Sequence, residues 1–469
     1  MDIRTFGSSI HNCNKMLKNK NSVMISRLLV GALFIVSGLI KANDPLGFSY
    51  KLEEYFAQDV LNWSWFRGGE VALASIVAVA EIILGFAVLA GEKFKVSAWS
   101  LLLLMVFFTF LTGYTAIGNW FFDNPESGVT GAFESMLGFK AGDIHYFKDC
   151  GCFGDALQLT PFESFMKDLV LLIFTVVIFV NRSSVKSNSF EQDIIYYAAA
   201  LVLILIFSLG VLGWFLPVVF AVITFAVLIA LRRFMPQTTY KGWGMAVAVT
   251  LLSGIFTYIC YAHLPIKDFR AYAVGKNIEE GMKIPEGESA PKYGYIYTIQ
   301  NNATGETMEV SSDDYLAQDL WKNEDLEIIE TSDQILIEKG YVPPIHDFVL
   351  ESPDDGSDYT SYILGAEKVL LIIQYDISKS ASGNLKNVKT LTDEAAQNGY
   401  EVFGLTAASA EEIDEFRHQH QFAFPYLQAD ATMLKTVVRS NPGIVVLNNG
   451  TVVAKQHHND VTNLKDLEQ

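Results

Sequence analysis

The sequence predicts a polytopic α-helical membrane domain followed by a soluble α/β domain. Of the 469 residues, 51% are hydrophobic and only 18% are charged, a composition that fits a membrane protein better than a soluble one. The charge is also uneven. Residues 26–262 carry few charged side chains, whereas residues 266–469 are polar and rich in Asp and Glu. We place the main domain boundary at this change, near Leu264.

The totals also exclude some classes of function. The net charge of −18 argues against nucleic acid as a partner. Four cysteines are too few for a disulfide-stabilised scaffold. Residues 1–26 are polar and mildly basic. No alanine-rich cleavage site follows the first apolar run, so we do not predict a removable signal peptide. We predict a disordered cytoplasmic tail for residues 1–26, with an amphipathic surface helix as the alternative.

Apolar runs of about 20 residues can cross a bilayer as helices. Seven such runs occur, at residues 27–42, 71–90, 97–118, 162–180, 194–214, 217–232 and 243–262. The first four form a predicted domain of residues 27–182, and the last three fill residues 183–264. The 194–232 region is divided only at 213–217. Reading it as one broken helix would move the C-terminal half to the cytoplasm, but Arg232 and Arg233 favour two helices.

The connectors predict the orientation. Basic side chains occur in 92–95, 182–186 and 232–241, and basic loops stay on the cytoplasmic side. With seven spans and a cytoplasmic N-terminus, residues 265–469 would lie in the periplasm of a Gram-negative bacterium. The protein is therefore expected in the inner membrane, surrounded by lipid.

Charged residues inside spans are costly and suggest function. Glu81 lies near the middle of its span. It could accept a proton or bind a polar ligand in the bundle interior. Alternatively, it is a protonated carboxyl bonded to a neighbouring helix. Lys41 lies at a span end, where the ordinary role is to reach the membrane interface.

Four further residues are candidates for cofactor binding. Lys167 and Asp168 lie one to two helical turns from the end of a loop that carries two cysteines, although a local ion pair would also explain them. Tyr114 and Trp120 in the third span could line a ring-binding pocket, although aromatic packing between helices is more common. We retain both interpretations.

The cysteine pair lies in the stretch Asp149-Cys150-Gly151-Cys152-Phe153-Gly154-Asp155. In the periplasm these thiols could be oxidised. A Cys150–Cys152 disulfide would enclose one residue and be readily reduced. A plain structural disulfide is the first alternative. A metal site of His145, Cys150, Cys152 and Asp155 is the second, but a spacing of one residue is unusual for zinc, so a metal is disfavoured. Cys260 is either a resolving thiol or simple packing.

Residues 27–45, with Glu81 and the Cys-Gly-Cys-Phe-Gly-Asp stretch, resemble the MauE branch of the DoxX-like membrane proteins. The resemblance covers about residues 26–182 and implies a four-helix bundle with about three further helices after it. It also implies membrane thiol redox chemistry, marking Cys150 and Cys152, and with them Glu81, Lys167 and Asp168. MauE-type proteins are linked to maturation of a disulfide-rich methylamine dehydrogenase subunit, and DoxX relatives to quinone oxidoreduction. The additional spans and the C-terminal half depart from a minimal MauE protein.

The C-terminal half divides into a small α+β region, 265–345, and an α/β domain, 346–469. The first contains a predicted hairpin turning at 301–305. The second alternates strands and helices: strands at 369–375, 400–405, 441–447 and 451–454, and helices at 384–398 and 409–420.

This order of elements resembles the thioredoxin fold, with Pro442 at the position of that fold's cis-proline. No cysteine follows Cys260, so the domain is a degenerate relative that cannot exchange thiols itself. Its groove beside Pro442 could bind an extended peptide, or the domain could be a structural cap.

The sequence therefore predicts thiol–disulfide electron transfer between a periplasmic client protein and a quinone. Cys150 and Cys152 would exchange electrons and Glu81 would handle a proton. Two other classes stay open. One is a non-enzymatic assembly or binding protein with structural cysteines and a client-recruiting outer domain. The other is a carrier of small molecules or lipids.

Overall fold

The structure is a computed structural model that describes residues 18–57, 60–123, 127, 129–132, 151, 153–235, 240–332, 335–338 and 340–467. The chain forms two compact units. The first comprises residues 1–270 with 456–461, and the second comprises 271–455 with 462–469. Each unit has its own core and is described by itself.

The first unit is a helical bundle. Its main helices are α1 Lys20–Asn43, α2 Pro45–Phe56, α3 Glu70–Ala90, α4 Phe94–Asp123, α5 Pro161–Val180, α6 Phe190–Gly210, α7 Leu216–Phe234 and α8 Lys241–Ala262. Within the described residues, six of them, α1, α3, α4, α6, α7 and α8, are long and apolar enough to cross a membrane. Six of the seven predicted spans are thereby confirmed as helices of that kind.

The remaining predicted span, α5, has 20 residues but carries Glu163, Lys167 and Asp168 within its first turns. Whether it crosses the membrane stays a prediction. Helix α2 was not predicted, because it lies between the first two long apolar runs, at 27–42 and 71–90. Its start signal is nevertheless local: Asp44 accepts a hydrogen bond from Gly47 N at 2.8 Å, and Pro45 occupies the first helical position, where proline is favoured.

Helices α1 and α3 pack closely through glycines. A Cβ on Gly85 would lie 2.8 Å from the carbonyl oxygen of Gly31, and one on Gly38 would lie 2.9 Å from that of Ala78. These neighbours are backbone atoms, which cannot move aside as a flexible side chain can. Small residues let membrane helices approach closely and gain van der Waals contact. This contact fixes the distance between the two helices that carry Lys41 and Glu81.

We expect Gly85→Ala to destabilise the bundle by about 1–3 kcal/mol, because the added methyl group overpacks a tight helix contact. Gly254→Ala on α8 is the matched control, since a Cβ there would have no atom within 4 Å. The control should be neutral or slightly stabilising, because alanine favours helix more than glycine does. Thermal unfolding of both variants in detergent gives the measurement, and equal midpoints would refute the close-contact argument.

A buried polar network joins α6 and α7 to α1 and α3. Arg27 Nη2 donates to Asn188 Oδ1 at 2.7 Å, and Asn188 Nδ2 donates to Asp193 Oδ1 at 3.0 Å. Asp193 in turn pairs with Arg232 at 2.7 Å. Arg27 also donates to the carbonyl oxygens of Val88 and Leu89 at the end of α3. The helices that follow residue 190 are therefore tied to the N-terminal ones by specific side chains.

The second unit is an α/β region. Its strands are β1 Lys292–Gly294, β2 Ile296–Asn301, β3 Thr307–Ser311, β4 Leu326–Thr331, β5 Ile335–Glu338, β6 Val369–Ile373, β7 Glu401–Thr406, β8 Tyr426–Gln428, β9 Gly443–Asn448 and β10 Thr451–His457. The helices are α9 Ile278–Met282, α10 Ser312–Ala317, α11 Thr360–Gly365, α12 Leu385–Gln397, α13 Ala410–His420, α14 Ala431–Val437 and α15 Leu464–Leu467.

Strands β10-β9-β6-β7-β8 form one sheet in that order. Strand β6 is parallel to β7 and antiparallel to β9, and β7 is parallel to β8. Every residue of β6 is buried, as expected of a central strand covered on both faces. The predicted strands and helices of residues 346–469 are confirmed within a few residues, whereas β8, α11, α14 and α15 were missed because all four are short.

The region before this sheet contains smaller sheets. Strand β2 pairs with β3 in antiparallel register, from Ile296 opposite Ser311 to Gln300 opposite Thr307. The predicted hairpin is thus confirmed. Strand β4 pairs on the other side of β2, and β1 pairs with β5.

Candidate functional site

A cavity of about 610 Å³ lies inside the helical bundle. Ligand pockets are typically about 300–1,000 Å³, mostly apolar, with a few convergent polar groups. This cavity has that character. Its lining residues come from α1 to α6 and two connecting segments: Leu33, Phe34, Ser37, Lys41, Phe48, Leu52, Tyr55, Phe56, Trp63, Phe66, Leu73, Val77, Glu81, Met105, Phe107, Phe108, Leu111, Thr112, Phe153, Leu157, Leu159, Glu163, Lys167, Asp168, Leu171 and Phe207.

Lys41 and Glu81 form a buried ion pair in the cavity wall. Lys41 Nζ lies 2.9 Å from Glu81 Oε1 and 3.1 Å from Oε2, and it also donates to Ser37 Oγ at 2.7 Å. The two side chains are 5% and 1% exposed. Lys41 therefore does not extend to the membrane interface, which corrects the role that the sequence favoured. The close packing of α1 on α3 brings the ammonium group to the carboxylate instead.

A second ion pair lies in the same cavity. Lys167 Nζ is 2.7 Å from Asp168 Oδ1, and Thr112 Oγ1 donates to Asp168 Oδ2 at 3.1 Å. Asp168 is buried, and Lys167 is partly exposed. The predicted ion pair between Lys167 and Asp168 is thus present. The Asp168 carboxylate also accepts a hydrogen bond from Thr112 of α4. The Thr112 hydroxyl fixes the direction in which Asp168 presents its oxygens.

Aromatic rings make up much of the wall. Lys41 Nζ lies 5.5 Å from the ring centre of Phe48 and 5.3 Å from that of Phe108. Lys167 Nζ lies 4.7 Å from the ring of Phe153. Ring faces attract cations and pack against flat ligands. Both ammonium groups are therefore held by a carboxylate and also face aromatic rings.

Part of the cysteine stretch belongs to the cavity wall. Cys150, Cys152 and His145 lie outside the described residues. Phe153, the residue after Cys152 in the chain, is 5% exposed and lines the cavity. Asp155 is exposed, in the 3-10 turn Gly154–Ala156.

The conformation of Gly151 explains why glycine stands between the two cysteines. Its φ is +63°, in the left-handed region that favours glycine, and a Cβ there would lie 2.7 Å from Lys51 Cγ on α2. Both constraints exclude a larger residue without a local rearrangement. The glycine thus lets the backbone at residue 151 lie close against α2.

The other candidates lie elsewhere. Tyr114 and Trp120 do not line this cavity. Tyr114 packs in an adjoining cluster with Leu52 and Leu111, and Trp120 is 44% exposed beside Phe121. The aromatic rings that line the cavity include instead those of Phe48, Phe107 and Phe108, which lie on the inward faces of α2 and α4. Cys260 is 2% exposed, in the core formed with α6, α7 and α8.

Most of the alternative metal site lies outside the described residues. Among the described residues, no group of three or more His, Cys, Asp or Glu side chains could hold a metal ion. Three of the four ligands considered above, His145, Cys150 and Cys152, lie outside those residues. The described member, Asp155, lies beyond the cavity lining.

The cavity residues fit a flat, uncharged ligand with hydrogen-bond acceptors. Each ammonium group, on Lys41 and Lys167, is paired with a carboxylate, so the buried charges are already compensated. The three N–H bonds of the Lys41 ammonium are directed to Ser37 Oγ and to the two carboxylate oxygens of Glu81, so a ligand acceptor would share one of these donors. Carbonyl oxygens on an aromatic-sized ring would accept from these donors while the ring packs against Phe48 or Phe108. A quinone head group has this chemistry.

The Pro442 region of the second unit is polar and ordered. The Asn441–Pro442 peptide bond is cis. Asn441 Nδ2 donates to the carbonyl oxygen of Asp376 at 2.7 Å, and Asn441 O accepts from Ala381 N at 2.9 Å. These bonds connect the segment before β9 to the loop after β6. The loop has serines and no cysteine.

Beneath this loop, Tyr426 donates to Gln374 Oε1 at 2.5 Å, and Gln374 Nε2 donates to Ser380 Oγ at 2.8 Å. Burial raises the pKa of Tyr426 well above its ordinary value, which keeps the hydroxyl a proton donor. The loop after β6 thus combines hydroxyl and amide groups with the Lys379–Asp376 ion pair, whose atoms lie 2.9 Å apart.

The sequence pointed to Lys41, Glu81, Lys167 and Asp168, but Glu163 of the cavity lining and the supporting groups were missed. Ser37 lies four residues before Lys41, and Phe108 lies four residues before Thr112. Residues at this spacing share a helix face, so the pattern was available. Phe153 and Phe207 gave no comparable signal, because their meeting depends on tertiary structure.

Comparison with known families finds a match in the N-terminal part of the chain. Residues 19–120 match the family model described as "Methylamine utilisation protein MauE". The match covers about a fifth of the 469 residues and ends before the cysteine stretch. No curated protein and no solved structure matches the chain. The resemblance to MauE is therefore confirmed for residues 19–120, the segment that contains both Lys41 and Glu81.

Proposed function

We propose that this protein is a membrane thiol–disulfide oxidoreductase that passes electrons between a client protein and a quinone. The observation that carries the proposal is the cavity, with its aromatic walls and two ion pairs, and with Phe153 of the cysteine stretch in its lining. A ligand in this cavity would lie beside the segment that follows Cys152. No equally specific observation favours a non-enzymatic assembly role or a lipid carrier.

A quinone in the cavity would supply a two-electron, two-proton acceptor. In the oxidising direction, the S–H bonds of Cys150 and Cys152 break and one S–S bond forms. Two electrons and two protons leave the thiols. Lys41 and Lys167 would orient carbonyl oxygens by hydrogen bonding, and Glu81 and Asp168 would accept and return protons at their carboxylate oxygens. The apolar lining would keep bulk water away.

The client would be another protein with thiols or disulfides. We propose that residues 346–469 form a degenerate thioredoxin-like domain and that its groove near Pro442 binds an extended client segment. The strand order β10-β9-β6-β7-β8, with a parallel pair and an antiparallel neighbour beside β6, supports this proposal. The family name of the matched segment suggests a client related to methylamine utilisation, but nothing in the second unit requires one.

We further propose the bacterial inner membrane, with the N-terminus in the cytoplasm and the second unit in the periplasm. The basic connectors support this orientation. An oxidising compartment would also allow a Cys150–Cys152 disulfide to form. A reporter fused after Gln469 that is active only in the cytoplasm would contradict it.

The test of the function uses purified, full-length protein. Its thiols are first reduced, and the reductant is then removed. Addition of ubiquinone-1 should oxidise two thiols per chain and form one quinol. Thiol titration measures the loss of thiols, and the ultraviolet absorbance of the quinone measures its reduction. The variant carrying both Cys150→Ser and Cys152→Ser is the control and should reduce no quinone. Ubiquinone-1 binding without thiol loss would instead favour a carrier, and neither binding nor thiol loss would favour an assembly protein.

A further inference from the structure

A smaller cavity lies between α3, α4 and α8, three helices that are long and apolar enough to cross a membrane. Its volume is about 190 Å³, and it has no described lining residue in common with the larger cavity. Most of its wall is apolar, with Leu84, Ala246 and Val249 among the residues. Pockets that hold a whole drug-sized ligand measure about 300–1,000 Å³, so the smaller cavity has room for only part of a larger molecule.

The smaller cavity is elongated along the helices. Its lining extends from Ile83 to Ala90 on α3 and from Gly242 to Val249 on α8. At 1.5 Å per residue, each stretch is about 10 Å long. One end of both stretches lies where α3 ends and α8 begins, and the other end lies deeper along the apolar helices. A hydrocarbon chain that enters from the helix ends fits a space of this shape.

The polar groups of the smaller cavity lie at the first of these ends. Glu92 and Lys93 are in the turn between α3 and α4, and they line the cavity together with Gly242 and Trp243 of α8. Lys93 Nζ lies 5.5 Å from the ring centre of Trp243, and the Trp243 side chain is exposed. Lysine and tryptophan are typical residues of the membrane interface. The polar end of the cavity therefore has the composition of such an interface.

Gly242 brings the start of α8 against the side chain of Lys93. A Cβ at Gly242 would lie 3.1 Å from Lys93 Cγ and 3.0 Å from Glu92 Oε2. The first N–H groups of a helix have no acceptor within the helix, and this end of a helix favours negative charge. Tyr240, which precedes α8, makes no capping hydrogen bond with its side chain. An anion beside Lys93 would therefore also lie close to the first turn of α8.

The carboxylates near the polar end are balanced by arginines. Arg232 lies 2.7 Å from Glu92 Oε1 and 2.7 Å from Asp193 Oδ2. Arg27 joins the same network through Asn188, which is bonded to both Arg27 and Asp193. Two arginines thus compensate two carboxylates, and Glu92 does not add an unbalanced negative charge to the cavity wall.

Lys241, the first residue of α8, is a mostly buried cation. It is 9% exposed, and within the part of the chain that the structure describes its ammonium group has no carboxylate partner. Burying a charge is costly unless a counter-charge or hydrogen bonds compensate it. Lys241 adjoins Gly242, against which the Lys93 stem packs. With these two lysines added to the balanced network, positive charge is in excess at the polar end.

We propose that the smaller cavity binds an anionic phospholipid: one acyl chain lies between α3 and α8, and the phosphate lies against Lys93 and the first turn of α8. Shape and charge both support this occupant, because the cavity is apolar inside and positive at its polar end. Basic pockets between membrane-spanning helices on the cytoplasmic side bind lipid head groups. The site is independent of the thiol chemistry proposed above.

The head-group contact is tested by native mass spectrometry of lipid binding to the purified, full-length protein. The two probes are dioleoylphosphatidylglycerol, which is anionic, and dioleoylphosphatidylcholine, which has the same acyl chains and no net charge. Lys93→Gln removes the proposed phosphate contact, and Lys93→Arg keeps its charge. Lys95→Gln is the matched control, since Lys95 belongs to the same basic connector but is exposed and does not line the cavity.

The acyl-chain contact is tested separately on α8. Ala246→Leu fills part of the cavity that the chain would occupy. Val247→Leu is the matched control, since Val247 is the next residue, is exposed and does not line the cavity. Thermal unfolding of every variant in the same detergent shows whether the fold is retained.

We expect the unsubstituted protein to bind one phosphatidylglycerol about fivefold or more tightly than phosphatidylcholine, because a lysine near a membrane surface attracts an anionic lipid by this much. Lys93→Gln should lose the preference, whereas Lys93→Arg and Lys95→Gln should keep it. Ala246→Leu should weaken the binding of both lipids, and Val247→Leu should leave it unchanged. An excess of inorganic phosphate should not displace the lipid, because the acyl chain is part of the ligand.

Several results would overturn the inference. Equal binding of the two lipids to the unsubstituted protein, or equal effects of Lys93→Gln and Lys95→Gln, would do so. Displacement by inorganic phosphate would indicate an anion site without lipid, and unsaturable binding of both lipids would indicate annular lipid only. If Lys93→Gln does not fold, unchanged lipid binding by Ala246→Leu refutes the site by itself. None of these measurements involves thiols or a quinone, so the proposed function and this site can fail separately.

Discussion

Replacing Cys152 by serine should abolish quinone reduction and leave Cys150 joined to its client. A mixed disulfide forms when one thiolate attacks a disulfide, and the second thiol normally resolves it. In the Cys152→Ser variant, the Cys150 thiolate would attack a disulfide of the client and release one client thiolate. Without Cys152 to resolve it, the Cys150–client bond would persist and appear as a larger species on non-reducing gels. Dithiothreitol should release both proteins unchanged. The experiment is done in cells, because the client is then present at its natural concentration.

The controls separate redox chemistry from structural roles. Replacing both cysteines should remove both the activity and the trapped species, while thermal stability stays near normal because helix packing holds the bundle. A structural disulfide predicts an unstable double variant and no trapped species. A metal site predicts bound zinc or iron that is lost on replacing His145. Full function of the double variant in cells would end the redox proposal.

The helices were predictable because a membrane imposes a simple length and composition rule. The positions of Glu81, Lys167 and Asp168 were predictable as candidates for the same reason, since charges in apolar runs are conspicuous. The way in which these charged residues are paired in space was not predictable. That Glu81 meets Lys41 depends on the approach of α1 to α3 at Gly38 and Gly85, and no single-residue pattern reports which helices are neighbours.

The cavity wall was harder to predict for a different reason. Phe153 and Phe207 are separated by more than fifty residues, and each has the appearance of an ordinary apolar residue. Helix α2 was missed because its start signal, Asp44 followed by Pro45, is short and has no long apolar run after it. Tyr114 and Trp120 were chosen as aromatic residues of a plausible span, and the structure assigns the lining to rings on other faces.

The ion pair of Lys41 and Glu81 should have the largest effect on stability of any single site in the cavity. Replacing Glu81 by leucine leaves the Lys41 ammonium buried without its carboxylate. Breaking a buried pair by removing one partner costs about 3–5 kcal/mol. We therefore expect a clearly lower thermal midpoint and a lower folded yield for Glu81→Leu.

A second change separates charge compensation from catalysis. Combining Glu81→Leu with Lys41→Met replaces both charges by apolar groups of similar size. Replacement of a whole buried pair is often neutral or stabilising, so the double variant should recover most of the stability. It should nevertheless fail to reduce quinone, because both the donor and the proton acceptor are gone. Stability and activity would then respond differently to the same second mutation.

Glu54→Gln is the matched control, because it removes the carboxylate of the half-buried Lys51–Glu54 pair, whose atoms lie 2.9 Å apart. That pair is three residues apart on one helix and partly solvated, so its loss should cost no more than about 0.5 kcal/mol. Thermal unfolding and ubiquinone-1 reduction are measured on all variants in one detergent. If the double variant regained both stability and activity, the Lys41–Glu81 pair would be structural only. The proton-handling role would then pass to Asp168, the other buried carboxylate of the cavity lining among the described residues.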